Sequence, residues 1–573
     1  MPLHTMKGTT KSQEAPIKII IVGSAAGGMS AALRARRLDE RASIILIEEG
    51  HYTSYTNSAV PSSLGGLIET DTFLIHQSPA GLKDRFNLDV RDRSKLISIS
   101  REKHSILVGQ SDTGNTYCLS YDKLILAQGA RPIIPTVQGI DRANVFSFQT
   151  MLDLEKIKSY VAENRCRSAV ILGGGYLALK AVESLYNFGL RMSIIHAHKR
   201  ICQDFDPEIA NFVQSELRKS GIRLHLNTRI RKIADDVVED GCFAALDNET
   251  HVPADLIVVA TGLTPRMETA KESGLECRTG VVVKEFMQTS DPDIYAVGDM
   301  AEKEDFFSPT SRMLPLVGPA NQQGRLAADH IMRRAIPYRG DFGTYSCKVL
   351  HLTAAIVGLS VERLREIGYY PQSVTVHVPD RAGYYPSSQQ MTLKLAFQPT
   401  GGRLLGAQII GRSGVDQRID VLSTALQAGM SIFDLELLQL SYAPQYGSGK
   451  DPVNVVGMVG SNLLRGDLHI VSPRDLNRHL PDWQIIDVRS AENFAKGHIP
   501  SARNIPIDDL RESLKDIDKE RPVVVYSRVG YHGYLAYRTM IQLGYSVANL
   551  DGGIKLFVEG GFGTGQVVSS GSD

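Results

Sequence analysis

The feature that most constrains the fold of this 573-residue chain is a strand, turn and helix pattern that occurs twice. The first copy reads IKIIIVGSAAGGMSAALRARR at 17–37, and the second reads SAVILGGGYLALKAVESL at 168–185. In each copy an apolar run of strand length leads through small residues into a helical pattern. Small residues at such a turn let main-chain N–H groups and the helix N-terminus approach a pyrophosphate. The pattern therefore predicts an α/β fold with two dinucleotide-binding, Rossmann-like domains.

The first copy has the features of a site for an adenine dinucleotide. Gly23, Ala25 and Gly28 occupy the three glycine positions of GxGxxG, and Ala26 and Gly27 between them are further cofactor-binding candidates. The next apolar strand, SIILIEEG, leads to Glu48, whose carboxylate can accept hydrogen bonds from both ribose hydroxyls. A bare tight turn is the alternative. The strand before it, the helix after it and the acid downstream together favour binding.

The second copy predicts a nicotinamide nucleotide site. Its turn and first helical residues include Gly173, Gly175, Tyr176 and Ala178. The following strand, RMSIIHAHKR, carries His196 where an acid is usual, and His198, Lys199 and Arg200 come next. A carboxylate there would repel a 2′-phosphate, whereas lysine and arginine would pair with it. The sequence therefore favours NADPH over NADH, with a solvated basic turn as the alternative.

Three further segments predict the remainder of the two cofactor sites. YDKLILAQGARP at 121–132 and ADLIVVATGLTP at 254–265 each give a buried strand and a small-residue turn. DIYAVGDM places Asp299 after a strand and a glycine, where it suits the ribityl chain of a flavin, and PANQQGRLAADHI continues as a helix. The additional cofactor-binding candidates are Ser54, Ala127, Gly129, Gly262, Gly298, Asp299, Pro319 and Ala320.

Composition narrows the classes of partner. Lys plus Arg and Asp plus Glu both total 63, so no global charge draws the chain to nucleic acid or to an anionic membrane. The sequence has no run of about 18 apolar residues, and residues 1–16 lack a signal-peptide core, which favours a cytoplasmic protein. The six cysteines include no CxxC pair, so the spacing predicts neither a metal site nor a redox dithiol.

The order of these motifs resembles the pyridine nucleotide-disulfide oxidoreductases. Within that family the chain is most similar to coenzyme A-disulfide reductases and their NAD(P)H oxidase and persulfide reductase relatives. The similarity lies in SYTNSAVPSSLGG, PLVGPANQQGR, AGYYP and YAPQYGSGKDPVN. The resemblance implies an enzyme that uses FAD with NADPH or NADH, forms a homodimer, and acts on a small molecule such as coenzyme A or a similar thiol.

In this family a dimerisation domain completes the active site of the partner subunit. The resemblance assigns that role here to Tyr384, Tyr385 and Tyr442, although ordinary core or interface tyrosines are the alternative. After Leu464 the segments IIDVRSAENFAKGHIPSARNIPI and RPVVVYSRVGYHGYLAYRTM resemble a rhodanese domain, with residues 527–533 as its active-site loop.

Together, pattern and resemblance predict five segments. The predicted division is a disordered tail at 1–16, an FAD-binding domain at 17–144 and 285–333, an NAD(P)H-binding domain at 145–284, an α+β dimerisation domain at 334–460 and an α/β rhodanese-like domain at 465–573.

The chain departs from the family at its reactive positions. Ser58, next to Asn57, stands where the reductases carry the cysteine that exchanges with coenzyme A, and Ser527 stands where a rhodanese carries its persulfide cysteine. A hydroxyl cannot replace a thiolate in either reaction. Lys180 stands where the family has a glutamate beside the nicotinamide, and there it could stabilise an anionic reduced flavin or an oxyanion. A displaced surface lysine is the alternative.

Three interpretations of these serines remain open at the level of sequence. The chain could be an enzyme that passes electrons from flavin directly to oxygen, a quinone or an activated double bond. It could be an engineered cysteine-to-serine variant of a thiol-dependent reductase. It could also be a non-catalytic flavoprotein whose rhodanese-like module only binds. Changes at neighbouring Ala59, Val60 and Ser62 favour the first interpretation.

Overall fold

A parallel five-stranded sheet forms the first dinucleotide-binding domain of the computed structural model, which describes residues 15–55, 59–236, 241–303, 315–480 and 482–563. Its strands, numbered along the chain, are β1 (Lys18–Val22), β2 (Ser43–Ile47), β3 (Asp89–Arg91), β7 (Lys123–Leu126) and β19 (Ile294–Ala296). They lie in the order β19-β7-β1-β2-β3. The helices are α1 (Ala26–Leu38), α2 (Val60–Leu64), α3 (Pro79–Phe86) and α8 (Val317–Ile331).

Helices α1 and α8 meet through glycine. A Cβ on Gly324 of α8 would lie 2.0 Å from the carbonyl oxygen of Gly27 on α1, so the two backbones approach more closely than any side chain allows. Strand β1 reads KIIIV and is buried over most of its length, as expected of a central strand covered on both faces. The turn between β1 and α1 is therefore held between two rigid layers.

The second dinucleotide-binding domain repeats this architecture. Its parallel sheet has the order β12-β11-β10-β16-β9, with β9 (Val145–Ser147), β10 (Ser168–Leu172), β11 (Arg191–His196), β12 (Arg223–Leu226) and β16 (Leu256–Val259). Its helices are α4 (Met151–Glu163), α5 (Tyr176–Tyr186), α6 (Pro207–Lys219) and α7 (Glu268–Glu272). The two parallel sheets confirm the predicted pair of Rossmann-like domains.

Smaller strands accompany these two sheets. They form two antiparallel three-stranded sheets and two strand pairs. The sheets comprise β4 (Ser94–Ser100), β5 (Ser105–Gln110) and β6 (Thr116–Ser120), and β13 (Ile230–Asp236), β14 (Gly241–Leu246) and β15 (His251–Pro253). The pairs are β8 (Ala130–Pro132) with β17 (Leu263–Pro265), and β18 (Val281–Val282) with β20 (Ala301–Glu302). The β8–β17 pair links the turns that follow β7 and β16, and so joins the two domains.

An antiparallel sheet in the order β21-β22-β25-β24-β23 forms the third domain. Its strands are β21 (Tyr345–Val349), β22 (Leu352–Gly358), β23 (Gln372–Pro379), β24 (Gln390–Phe397) and β25 (Leu404–Gly411). Its helices are α9 (Val361–Glu366), α10 (Val415–Gln427), α11 (Ile432–Leu437) and α12 (Pro452–Arg465). Cys347 and Ile356 of this sheet belong to the same apolar core as α5 and α6, so the third domain packs directly on the second.

The fourth domain is built on a parallel sheet in the order β26-β30-β29-β27-β28. Its strands are β26 (Ile470–Val471), β27 (Gln484–Asp487), β28 (Arg503–Asn504), β29 (Val523–Tyr526) and β30 (Val547–Leu550). Its helices are α13 (Pro473–His479), α14 (Ala491–Ala495), α15 (Leu510–Ser513), α16 (Tyr531–Gln542) and α17 (Gly553–Glu559). Across the described ranges, every helix is too short or too polar to cross a bilayer.

Candidate active site

The first cradle lies at the carboxyl end of β1. Gly23 has φ +104°, and a Cβ on it would lie 2.2 Å from the carbonyl oxygen of Ala127. A Cβ on Gly28 would lie 1.8 Å from the carbonyl oxygen of Gly23. Helix α1 starts at Ala26, and Ala25 provides no side-chain cap, so the first N–H groups of the helix are left for a ligand. These residues fit the pyrophosphate of FAD.

Glu48 lies beside this cradle, directly after β2. Its Oε2 accepts hydrogen bonds from the Ser24 N–H (2.9 Å) and hydroxyl (2.6 Å), and its Oε1 accepts one from the Gly50 N–H (2.8 Å). These three bonds fix the carboxylate at the edge of the turn. A carboxylate has about four acceptor positions, so one remains for a ribose hydroxyl.

The second cradle repeats this geometry at the end of β10. Gly173 has φ +129°, and a Cβ on it would lie 2.1 Å from the carbonyl oxygen of Ala260. Gly175 precedes α5 without a side-chain cap, and a Cβ on it would meet no atom within 4 Å. Ala178 is fully buried one turn into the helix. The amide groups of this turn therefore face open space, which fits a second pyrophosphate.

His196 closes the second cradle as a neutral side chain. Its Cδ2 would lie 2.7 Å from a Cβ on Gly174, so the ring covers that glycine. Burial, together with the neighbouring His198, lowers the pKa of His196 to about 4. Its buried Nε2 has no hydrogen-bond partner among the described residues. At neutral pH His196 is therefore uncharged, so it would neither repel a 2′-phosphate nor attract it by charge.

The basic residues after β11 do not all point towards a nucleotide. Arg200 forms an ion pair with Glu362 at the start of α9, so its guanidinium is already engaged by a carboxylate of the third domain. His198 lines the cavity described below, and Lys199 is exposed. The described residues hold no ion-pair partner for Lys199.

One continuous cavity of about 1040 Å³ joins the two cradles. A volume of this size is at the upper end of the range for ligand sites. Fourteen of the predicted cofactor residues line it: Ala25, Ala26, Gly27, Ser54, Ala127, Gly129, Gly173, Gly175, Tyr176, His196, Gly262, Gly298, Asp299 and Ala320. Gly23, Gly28 and Ala178 shape it from behind, while Glu48, Pro319, Lys199 and Arg200 are not in its wall. The cavity therefore extends without interruption from the first cradle to the second.

Some wall residues were not singled out from the sequence. Ser30, Leu33 and Arg37 form one face of α1 and line an arm of the cavity. Their helical spacing is visible in the sequence, but nothing local shows that this face borders a cavity. Asp204 and Tyr345 line it from segments 141 residues apart, and the Tyr345 hydroxyl donates to the Asp204 carboxylate at 3.0 Å. No local pattern could have brought those two together.

Asp299 lies at the far end of the first cradle. Burial raises the pKa of its carboxyl to about 6, while the Lys303 ammonium opposes the shift and the Asp341 carboxylate adds to it. Helix α8 begins nearby without a side-chain cap, and Leu316 and Ala320 line the cavity. The helix N-terminus therefore faces the region where a flavin ring would lie.

The structure describes only part of the segment around Ser58, which stands where the reductases carry their cysteine. Asn57 and Ser58 lie outside the described residues. Ser54, just before them, is buried at φ +54° and lines the cavity, and Val60 and Pro61 line it just after them. The predicted roles of Asn57 and Ser58 stay predictions.

Lys180 lies on α5 but does not line the large cavity. It borders a separate cavity of about 200 Å³, together with Glu183, Lys348 and His351. Its Nζ lies 5.7 Å from the ring centre of Tyr176, which does line the large cavity. Lys180 therefore borders the smaller cavity rather than the large one, and its direct catalytic role stays a prediction.

The predicted tyrosines lie on the surface of the third domain. The Tyr384 and Tyr442 hydroxyls are 3.3 Å apart, and the two side chains are 77% and 52% exposed. Tyr385 is partly exposed beside them. Buried Arg418 donates hydrogen bonds to the Asp451 carboxylate and to the backbone carbonyl oxygens of Asp380 and Tyr446. These bonds hold the two loops that carry the tyrosines. The tyrosine pair faces outward from its own chain rather than into its own cavity.

Ser527 lies at the carboxyl end of β29 in the fourth domain, directly after Tyr526. It is buried, and its Oγ accepts a hydrogen bond from the Gly530 N–H at 3.2 Å. Gly530 has φ +97°, and a Cβ on Gly533 would lie 2.2 Å from Asn549 Oδ1. The loop thus keeps a tight cradle around a hydroxyl. Among the described residues, no group of three His, Cys, Asp or Glu side chains is placed to hold a metal ion.

Comparison with known proteins agrees with this architecture. The family description pyridine nucleotide-disulphide oxidoreductase matches residues 17–324, its dimerisation domain matches 344–448, and the rhodanese-like domain matches 472–559. Coenzyme A disulfide reductase of Staphylococcus haemolyticus is 29% identical over 449 residues, which is 78% of this chain and 100% of the relative.

Two solved structures cover nearly the whole chain. Reduced Bacillus anthracis CoADR-RHD is 36% identical with a TM-score of 0.94, over 97% of this chain and 100% of that one. An NAD-dependent persulfide reductase from A. fulgidus is 33% identical with a TM-score of 0.88, over 94% of this chain and 100% of that one. The chain therefore belongs to the pyridine nucleotide-disulphide oxidoreductase family, as an FAD-dependent NAD(P)H oxidoreductase with a C-terminal rhodanese-like domain.

Proposed function

We propose that this enzyme passes electrons from NAD(P)H by way of FAD to a small-molecule acceptor without a redox cysteine. When bound in the two cradles, the nicotinamide would supply a hydride and FAD would carry its two electrons to the acceptor. The observation that carries the proposal is the absence of a thiol: Ser58 replaces the reductase cysteine in the sequence, and no cysteine is present among the described residues that line the large cavity.

The cysteines nearest to the cavity are poor candidates for a replacement. Cys202 and Cys347 line a smaller cavity of about 180 Å³ next to the second cradle. Burial raises the pKa of the Cys347 thiol to about 12, and burial also raises the pKa of Cys202 far above its usual range. Both thiols stay protonated at physiological pH, and a protonated thiol is neither a good nucleophile nor an electron relay.

The residues of the chain hold and align the two cofactors. The amide groups around Gly23 and Gly173 would bind the pyrophosphates, and Glu48 would hold a ribose of FAD. The acceptor would then lie near Ser54, Asn57 and Ser58, covered by Tyr384, Tyr385 and Tyr442 of a second copy of the chain. Oxygen, a quinone or an activated double bond are the acceptor classes that need no thiol.

The part of the cavity that runs along α1 supports an acceptor that carries phosphate groups away from its reactive group. Arg37 provides a cation in its wall, Ser30 provides a hydroxyl and Leu33 provides an apolar surface. Coenzyme A and related thiols combine phosphates with a long chain that suits such an arm. This supports a coenzyme A-like acceptor.

NADPH is the nucleotide that the second cradle favours. His196 is uncharged where an acid would repel a 2′-phosphate, and exposed Lys199 can pair with that phosphate. Because Arg200 is paired with Glu362, the preference depends on Lys199 and on His198 in the cavity wall. We therefore expect NADPH to reduce the enzyme faster than NADH.

Introducing a thiol at position 58 tests the proposal. We expect the natural enzyme to transfer electrons to a quinone or oxygen while its rate with coenzyme A disulfide is at least about 100-fold below that of Ser58→Cys, since only the variant supplies a thiolate at that position. NADPH oxidation with each acceptor measures this. Ser62→Cys places a thiol on the neighbouring helix as a control. Rapid reduction of coenzyme A disulfide by the natural enzyme would contradict the proposal.

A further inference from the structure

We infer that Tyr338 is a positioning residue for the flavin site, because it joins a buried chain of polar groups that ends at the Gly298–Asp299 turn. The chain runs through Gln323, Tyr338, Asp341 and Lys303. The inference rests on the proposed binding of FAD at this turn and assigns a role to residues behind the cavity wall.

Each link of the chain is a direct contact. The Gly298 N–H donates to Gln323 Oε1 at 2.8 Å, and Gln323 Nε2 donates to the Tyr338 hydroxyl at 3.2 Å. The Tyr338 hydroxyl donates to Asp341 Oδ1, and Lys303 Nζ lies 3.0 Å from Asp341 Oδ2. Four consecutive contacts therefore run from the cavity wall to a buried ion pair.

Three of the four side chains in this chain of polar groups are buried, and Tyr338 is partly buried. Gln323 is fully buried, Asp341 is 3% exposed and Lys303 is 6% exposed. Tyr338 is fixed at its backbone as well, because its N–H donates to the Glu285 carbonyl at 2.7 Å. Removing one partner of a buried, hydrogen-bonded set leaves the other without compensation, so the set keeps one geometry.

The chain reaches the cofactor site from two sides. Gln323 lies in α8, whose first turns line the cavity, and it also binds the backbone of the turn that presents Asp299. Lys303 and Asp341, the charged groups that act on the partly buried Asp299 carboxyl, are the other end of the same chain. The position and the charge of Asp299 are therefore both tied to the Tyr338 hydroxyl, which connects Gln323 to Asp341.

Replacing Tyr338 by phenylalanine removes this connection while keeping the ring. In the FAD-loaded enzyme we expect a changed flavin midpoint potential, a shifted visible absorption band and about tenfold slower reduction by NADPH, as for the loss of one buried hydrogen bond. Tyr295→Phe is the matched control. The buried Tyr295 hydroxyl lies 2.9 Å from His330 Nδ1, in the last turn of α8, whereas the first turns of α8 line the cavity. We expect its potential and spectrum to stay as in the natural enzyme.

The outcomes separate this inference from the proposed function. If Tyr338→Phe binds FAD with the same potential, spectrum and reduction rate as the natural enzyme, the inference is wrong and the proposed function is unaffected. An equal change in Tyr295→Phe would also overturn it, because it would show a general effect on packing. If the natural protein binds no FAD, the proposed function itself fails.

Discussion

Replacing Gly175 by valine is expected to keep FAD in the protein and to slow its reduction by NADPH at least about 100-fold. The glycine has an extended backbone that valine can adopt, and a Cβ there meets no protein atom within 4 Å. Because the same residue lines the large cavity, the new side chain fills the space of the nucleotide without straining the fold. Stopped-flow absorbance of the flavin band measures the effect.

Two comparisons make this experiment specific. Dithionite should reduce the flavin of Gly175→Val as fast as that of the natural enzyme, because this reductant does not bind in the nicotinamide nucleotide site. Gly449→Val adds the same side chain at an exposed glycine that also has open space around its Cβ, and it should leave the rate with NADPH unchanged. An unchanged rate with NADPH in Gly175→Val would show that the nucleotide binds elsewhere.

Replacing Asp551 by asparagine is expected to stabilise the protein above pH 7 and to have little effect near pH 4. Asp551 lies in the junction between the fourth and third domains, where its Oδ1 accepts a hydrogen bond from the Thr375 N–H at 2.9 Å. Burial raises the pKa of its carboxyl from 3.8 to about 6, against the hydrogen bond from Thr375 and the charge of Lys394. Asparagine keeps the acceptor and carries no charge.

The sign of this effect follows from proton linkage. Because the folded pKa is above the unfolded value, the folded protein holds the proton more tightly, and that stabilisation is complete below pH 3.8 and is lost as the pH rises through 6. The loss is about 2–3 kcal/mol at neutral pH. Calorimetry of both proteins at pH 4 and pH 8 should therefore show a gain for Asp551→Asn only at pH 8, and exposed Asp508→Asn should show none. An equal shift at both pH values would contradict this assignment.

The local parts of the site could be predicted from the sequence. Apolar runs end where β1 and β10 end, and Gly23 and Gly173 follow because only glycine fits beside the carbonyl oxygens of Ala127 and Ala260. Such constraints involve a strand, a turn and a helix that are adjacent in the chain. A sequence pattern can therefore show them.

The long-range parts could not be predicted in this way. The ion pair of Arg200 could not be predicted, because its partner Glu362 lies 162 residues away in another domain. The polar chain through Tyr338 depends on how α8, the Gly298 turn and the start of the third domain pack together. The helical pattern places Lys180 on α5, but it could not show that this side chain borders the smaller cavity and not the large one.

An anaerobic titration of the FAD-loaded enzyme with NADPH tests most directly whether electrons pass through two cofactors and no thiol. A flavin takes up two electrons, whereas a redox-active disulfide would add two more. We predict that about one equivalent of NADPH per FAD bleaches the flavin completely, with NADH reacting more slowly. A requirement for about two equivalents, or a flavin that stays oxidised in excess NADPH, would contradict the account.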